Sequence, residues 1–127
     1  QTDIVSYDIR RDKKSWLTST PGSEYSPVQI PGTFTWATIL LEEDGRQLLW
    51  TYSLNGGAGK ILVPFVKIGY QTWLNDEEMF AFVLGPDPTF QRIHISNQRA
   101  EIIQEKIGLV LFFSIARTPK IKFFQLT

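Results

Sequence analysis

The one imidazole available for acid–base or nucleophilic work is His94, which sits between Ile93 and Ile95. No serine stands in a G-x-S-x-G arrangement or any comparable nucleophile motif. A zinc site would have to combine this single imidazole with carboxylates, an uncommon ligand set. The chain has no cysteine, so thiolate chemistry, disulfides and cysteine-bound zinc are excluded. Carboxylates gather in Glu42-Glu43-Asp44 and again in Asp76-Glu77-Glu78. A pair of such groups could act as a glycosidase-like acid and base, or could hold calcium. Both triplets fall in predicted turns, where charge keeps a loop solvated, and that plainer reading is adopted. Gly56-Gly57-Ala58-Gly59-Lys60 has the look of a phosphate cradle. Ile61 follows the lysine, however, and an apolar strand comes next instead of a helix whose N-terminus could face phosphate. No catalytic residue, cofactor or metal site is assigned, and the chain is not expected to be an enzyme.

Aromatic side chains offer a different chemistry. β-Domains that bind sugars stack pyranose rings on exposed Trp and Tyr while neighbouring amides and carboxylates take the hydroxyls. Trp16 and Tyr25 flank a Pro/Gly-rich stretch, and Trp73 stands beside Asn75 and Asp76. These five are the candidate ligand-binding residues. The competing reading is that Trp and Tyr of a small β-domain are mostly core.

The elements that must position these residues read as strands. A chain of 127 residues, 43% hydrophobic and 20% charged, is long enough for one domain with a proper core, and nothing in it suggests disorder. Asp44-Gly45 is a hairpin signal of the type I′ class, predicting a two-residue loop with Leu41 opposite Leu48, Ile39 opposite Trp50 and Ala37 opposite Tyr52. That register gives one nearly all-apolar face, including Ala37, Ile39, Leu48, Trp50 and Tyr52, which should be core. The other face would carry Phe34, Trp36, Leu40 and Leu49 among hydroxyl residues. A half-solvated sheet should be polar there, so something is expected to cover it: the Pro-rich loop, another copy of the chain, or a ligand. These four are the candidate interface.

Elsewhere, residues 18–33, with Pro21, Gly22, Pro27, Pro31 and Gly32, read as one long loop. Ile61–Ile68, Tyr70–Leu74 and Met79–Leu84 read as strands, the first and last apolar on both sides. Pro64 assigns its strand to an edge, a first residue or a bulge. Residues 90–95 alternate. Asn97 could cap a short helix over 98–107 with Ala100, Ile103 and Ile107 on one stripe; a strand over 100–104 competes with it, and the helix is preferred. Leu109–Ala116 and Lys120–Leu126 close the chain as strands. The expected fold is therefore all-β with that one short helix: a single antiparallel β-sandwich or jelly-roll-like domain over 1–127, with about eight or nine strands.

Thirteen basic and thirteen acidic residues cancel, which disfavours nucleic acid as a partner because phosphate binding needs a cationic surplus. Arg10, Arg11, Lys13 and Lys14 form a local basic patch that reads as a solvated turn. No run approaches the ~18–20 apolar residues of a transmembrane segment. The chain opens on Gln1, which points to processing or to a domain cut from something longer. Strands apolar on both faces and a neutral charge suggest a non-catalytic structural or assembly module that pairs with itself, as a homo-oligomer, or with other protein subunits. A viral or surface-structure component, in a virion or at a cell surface, is the setting this favours over the cytoplasm. A carbohydrate- or small-ligand-binding module is the alternative.

Overall fold

The computed structural model describes residues 1–54 and 58–108. Ten strands and no helix occur among them. A two-stranded ribbon joins β1 (Val5–Asp8) to β2 (Lys13–Trp16). The first four-stranded sheet runs β3 (Ser23–Gln29), β4 (Thr35–Leu41), β5 (Gln47–Ser53) and β6 (Lys60–Val63). The second runs β7 (Ile68–Trp73), β8 (Glu78–Val83), β9 (Thr89–His94) and β10 (Arg99–Gln104). Every neighbouring pair is antiparallel and consecutive in sequence, so each sheet is a simple meander. The sheets pack face to face in a sandwich-like stack around Ile39, Leu49, Val63, Ile68, Met79 and Ile93. The all-β antiparallel expectation holds; the two closing strands expected beyond Leu109 lie outside the described residues.

Four local expectations change. The stretch expected to be a loop at 18–33 contains β3, because Pro27 occupies a bulge on an edge strand, where its missing N–H costs no ladder bond. Ser26 takes the bulged position at φ 54°. Pro21-Gly22 then turns tightly against β4: a Cβ on Gly22 would lie 2.6 Å from the Leu41 carbonyl oxygen.

The second change concerns the β4–β5 hairpin. Gly45 alone has a positive φ there, 86°, whereas a type I′ turn needs two such residues. The Gly45 N–H donates to the Glu42 carbonyl (3.0 Å) and the Glu42 N–H to the Arg46 carbonyl (2.8 Å). The loop is thus three residues long, a type I turn closed by a left-handed glycine. Pairing shifts by one: Leu40 faces Leu48, Ile39 faces Leu49, Thr38 faces Trp50 and Trp36 faces Tyr52. Since side chains alternate with period two, the whole β5 strand changes sides.

The third change is at β6–β7. The strand expected over 61–68 breaks after Val63, just before Pro64, and Gly69 sits inside β7 at a bulge without interrupting it. The fourth is the helix expected over 98–107, which is replaced by β10. Gln98 adopts φ 53° and its N–H closes a turn onto the Ile95 carbonyl (3.2 Å). The chain then pairs with β9, and the ready-made strand edge outweighs a weak helical stripe. Ala100 and Ile103 consequently pack on different clusters.

β8 is buried on both sides, as its unbroken apolar run implies. Met79, Ala81 and Val83 enter the inter-sheet core. Phe80 and Phe82 point the other way and join Phe90 and Ile107 in a second cluster, the Phe80 and Phe90 rings lying 4.8 Å apart and tilted by 39°.

Candidate functional site

The outer face of the first sheet, the one turned away from the second sheet, carries the most unusual chemistry. The observed register places Trp36, Leu40, Leu48, Trp50 and Tyr52 there, with Ile61 opposite Trp50 and Glu24 opposite Leu40. Part of this face is covered by the chain itself, since Ile4, Leu17 and Thr18 lie against Trp36, Thr38 and Tyr52. The Thr18 hydroxyl accepts the Ile4 N–H at 2.8 Å, which fixes the segment as it crosses. Glu24 is only 1% exposed. One of its oxygens accepts the Thr20 hydroxyl. Its other oxygen, Oε2, and the indole N–H groups of Trp36 and Trp50 are enclosed without a hydrogen-bond partner among the described residues. Each such group costs about 1–3 kcal/mol, so this face is polar-unsatisfied as well as apolar.

Burial, with the Glu24 and Asp3 carboxylates nearby, pushes the Tyr52 phenol from 10.0 up to about 12. The folded value lies above the unfolded one, so this contribution to stability is complete below about pH 10 and is lost as pH rises towards 12. Tyr52→Phe should therefore lose less stability than the wild type across that window, read from urea unfolding at stepped pH.

Beside Trp50 a cleft of about 480 Å³ opens between Thr20-Pro21-Gly22 and the β4–β5 turn, lined also by Glu42, Glu43, Asp44 and Arg46. Arg46 is held on both sides: its guanidinium pairs with Glu42 and, at 2.8 Å, with Asp44. The Arg46 backbone N–H, donated to Asp44 at 3.0 Å, is the main cause holding the Asp44 carboxyl below its usual range, and the guanidinium adds to it. The cleft offers an indole wall, acceptor oxygens and one guanidinium, which suits binding. The Thr20 hydroxyl in its lining is committed to Glu24. Sequence alone does not mark Trp50 and Arg46 as cleft residues, because a two-residue loop puts Trp50 on the core face. The available signal was the glycine: one left-handed residue after Asp44 is equally compatible with a three-residue loop.

The residues expected to bind a ligand are not brought together. Trp16 lies on the ribbon, 66% exposed, with the Lys14 ammonium 5.7 Å from its ring centroid. Tyr25 and Trp73 pack against the inter-sheet core. Burial, followed by the nearby Tyr70, raises the Tyr25 phenol. The Trp73 indole N–H is used by Gln71 Oε1 at 2.9 Å. Asn75 Oδ1 accepts the Glu77 and Glu78 N–H groups, both at 2.9 Å, and so closes the β7–β8 turn; Asp76 is exposed at its tip. Of the candidate interface, Phe34 (78% exposed), half-buried Trp36 and buried Leu40 do share the outer face. Leu49 does not: it is fully buried in the inter-sheet core, the direct consequence of the shifted register.

His94 belongs to a cross-strand row of polar side chains on the second sheet. Its Nδ1 lies 3.8 Å from Glu78 and its Nε2 3.9 Å from Glu101, while Arg92 also pairs with Glu78. The Arg92–Glu78 pair joins facing strands and stabilises the sheet. No cluster of His, Asp or Glu placed to hold a metal occurs among the described residues, and no helix long and apolar enough to cross a membrane occurs among them.

No protein-family model matches the chain, and no curated protein does. Among solved structures, it is similar to "putative TolB from Agrobacterium tumefaciens", with a TM-score of 0.71 at 14% sequence identity. The match covers 81% of this chain and 41% of that one. The likeness is one of fold, and this chain spans less than half the length of the protein it matches.

Proposed function

We propose that this chain is a non-catalytic assembly module that presents sheet surfaces to other protein subunits, further copies of itself first among them. The carrying observation is that apolar side chains occupy both faces of both four-stranded sheets. A two-layer sandwich needs only its inner faces apolar. Consecutive four-stranded meanders stacked face to face are instead the unit of radially repeated architectures, in which every sheet has a neighbour on each side. On the outer face of the first sheet, Phe34, Leu54 and Ile61 remain 78%, 40% and 41% exposed around the half-buried Trp36 and Trp50. A docked surface would cover this patch. Charged substitutions on its rim, Phe34→Asp together with Ile61→Asp, should leave the fold intact and weaken self-association, read by sedimentation velocity. Unchanged association of a folded double variant would remove this face from the interface.

The cleft beside Trp50 favours a second reading, a site for a small polar ligand such as a carbohydrate. An indole for stacking and the Glu42, Glu43 and Arg46 polar groups support it. Tryptophan fluorescence titrated across a glycan panel tests it, with loss of any response in Trp50→Ala as the expected result and silence across the panel as the contrary one.

A further inference from the structure

The β1–β2 ribbon is the one two-stranded sheet among the described residues; the other two have four strands each. An isolated two-stranded ribbon is at best marginally stable in water, and an unpaired strand edge is a template for another strand. The two edges of this ribbon differ. The Leu17 N–H donates to the Ile4 carbonyl at 2.9 Å, and the register continues through Ser6 opposite Ser15 and Asp8 opposite Lys13. Hydrogen-bonded pairs alternate along an antiparallel ladder. Val5 and Tyr7 therefore turn their N–H and C=O groups away from β2, and no backbone bond from another element reaches them among the described residues. By the same alternation Lys14 and Trp16 present the outer edge of β2. That edge carries Lys13 and Lys14, the kind of charge that discourages pairing, whereas β1 between Val5 and Tyr7 carries none.

We infer that the outer edge of β1 pairs with β1 of a second copy about a two-fold axis, making a four-stranded sheet across the two chains. The inference rests on the assembly reading and names an edge that it uses. The strand is self-complementary in this arrangement. With Ser6 on the axis, Val5 faces Tyr7 of the second copy, and both residues offer outward backbone groups, so the ladder closes with no group left over. Tyr7, 55% exposed, gains a β-branched partner directly across the strand, a favourable cross-strand pair. The ribbon tips, where Arg10, Arg11 and Lys13 gather, point in opposite directions along the antiparallel strands, which keeps their like charges apart.

Three variants test this, with sedimentation reading the mass and far-UV circular dichroism the fold. Val5→Pro removes an N–H that β2 does not use, and Ser6→Lys places two ammonium groups together on the axis. Each should raise the concentration at half-association by roughly tenfold or more. Lys14→Pro, the matching change on the opposite edge, should leave it unchanged. If the wild type associates and both β1 variants associate equally well, the edge inference is overturned and the assembly reading stands. Dissociation by Lys14→Pro alone also overturns the edge inference. A wild type that is monomeric throughout overturns both.

Discussion

Leu49→Ala should destabilise the protein by about 2–5 kcal/mol, the cost of truncating a fully buried leucine and leaving a cavity. Urea unfolding would show it as a lower midpoint at unchanged slope. Leu49 has no exposed surface and lies opposite Ile39, where the two sheets meet. A loss of that size is a large share of the ~5–15 kcal/mol that holds a domain together. The comparison discriminates between registers. A two-residue turn would put Leu49 on the outer face, where its truncation would leave the inter-sheet packing around Ile39 intact. Trp50 reports the converse, since in the three-residue register it walls the cleft instead of filling the core.

Gln71→Leu is the second substitution expected to have a large effect, although it keeps the volume nearly constant. The Gln71 amide spans the two sheets: its Nε2 donates to the Ser26 carbonyl at 2.9 Å and to the Ala37 carbonyl at 3.1 Å. Its Oε1 accepts the Trp73 indole N–H. The Ser26 carbonyl is free for this role because Ser26 lies between Tyr25 and Val28, where the β3–β4 register shifts. A leucine would remove the donor to both carbonyls and the acceptor of the Trp73 indole N–H in a part-buried setting, at about 1 kcal/mol or more for each lost bond. The expected loss is ~2–4 kcal/mol in urea unfolding, with a change in tryptophan emission as Trp73 loses its partner. A loss below ~1 kcal/mol would show that water replaces the glutamine and that the clamp is not structural.

What could be read from the sequence follows the strength of each local signal. The unbroken apolar run Met79–Leu84 implied a strand buried on both sides, and β8 is one, because no arrangement with a solvated face could hold it. The alternation at 90–95 likewise became β9. The failures occurred where one residue decides between near-equal backbone routes. Gly45 is compatible with a two- or a three-residue loop, and the choice moved Leu49 into the core and Trp50 out of it. Pro27 argued for a loop, yet a bulge on an edge strand accommodates it. The stripe of Ala100, Ile103 and Ile107 suited a helix, yet the open edge of β9 supplied hydrogen bonds that a short isolated helix lacks. The candidate ligand residues scattered for a related reason. Neighbourhood in sequence placed Trp73 with Asn75 and Asp76, but strand alternation turned Trp73 inward and left Asn75 to close the turn.

A chain that meets other subunits through its sheet surfaces associates in solution, and solution mass tests that most directly. Light scattering behind size exclusion, over a wide range of protein concentration, should show a mass that rises from 14.6 kDa towards a stable multiple of it. A single 14.6 kDa species at every concentration would contradict the assembly reading and leave the cleft beside Trp50 as the surface to explain.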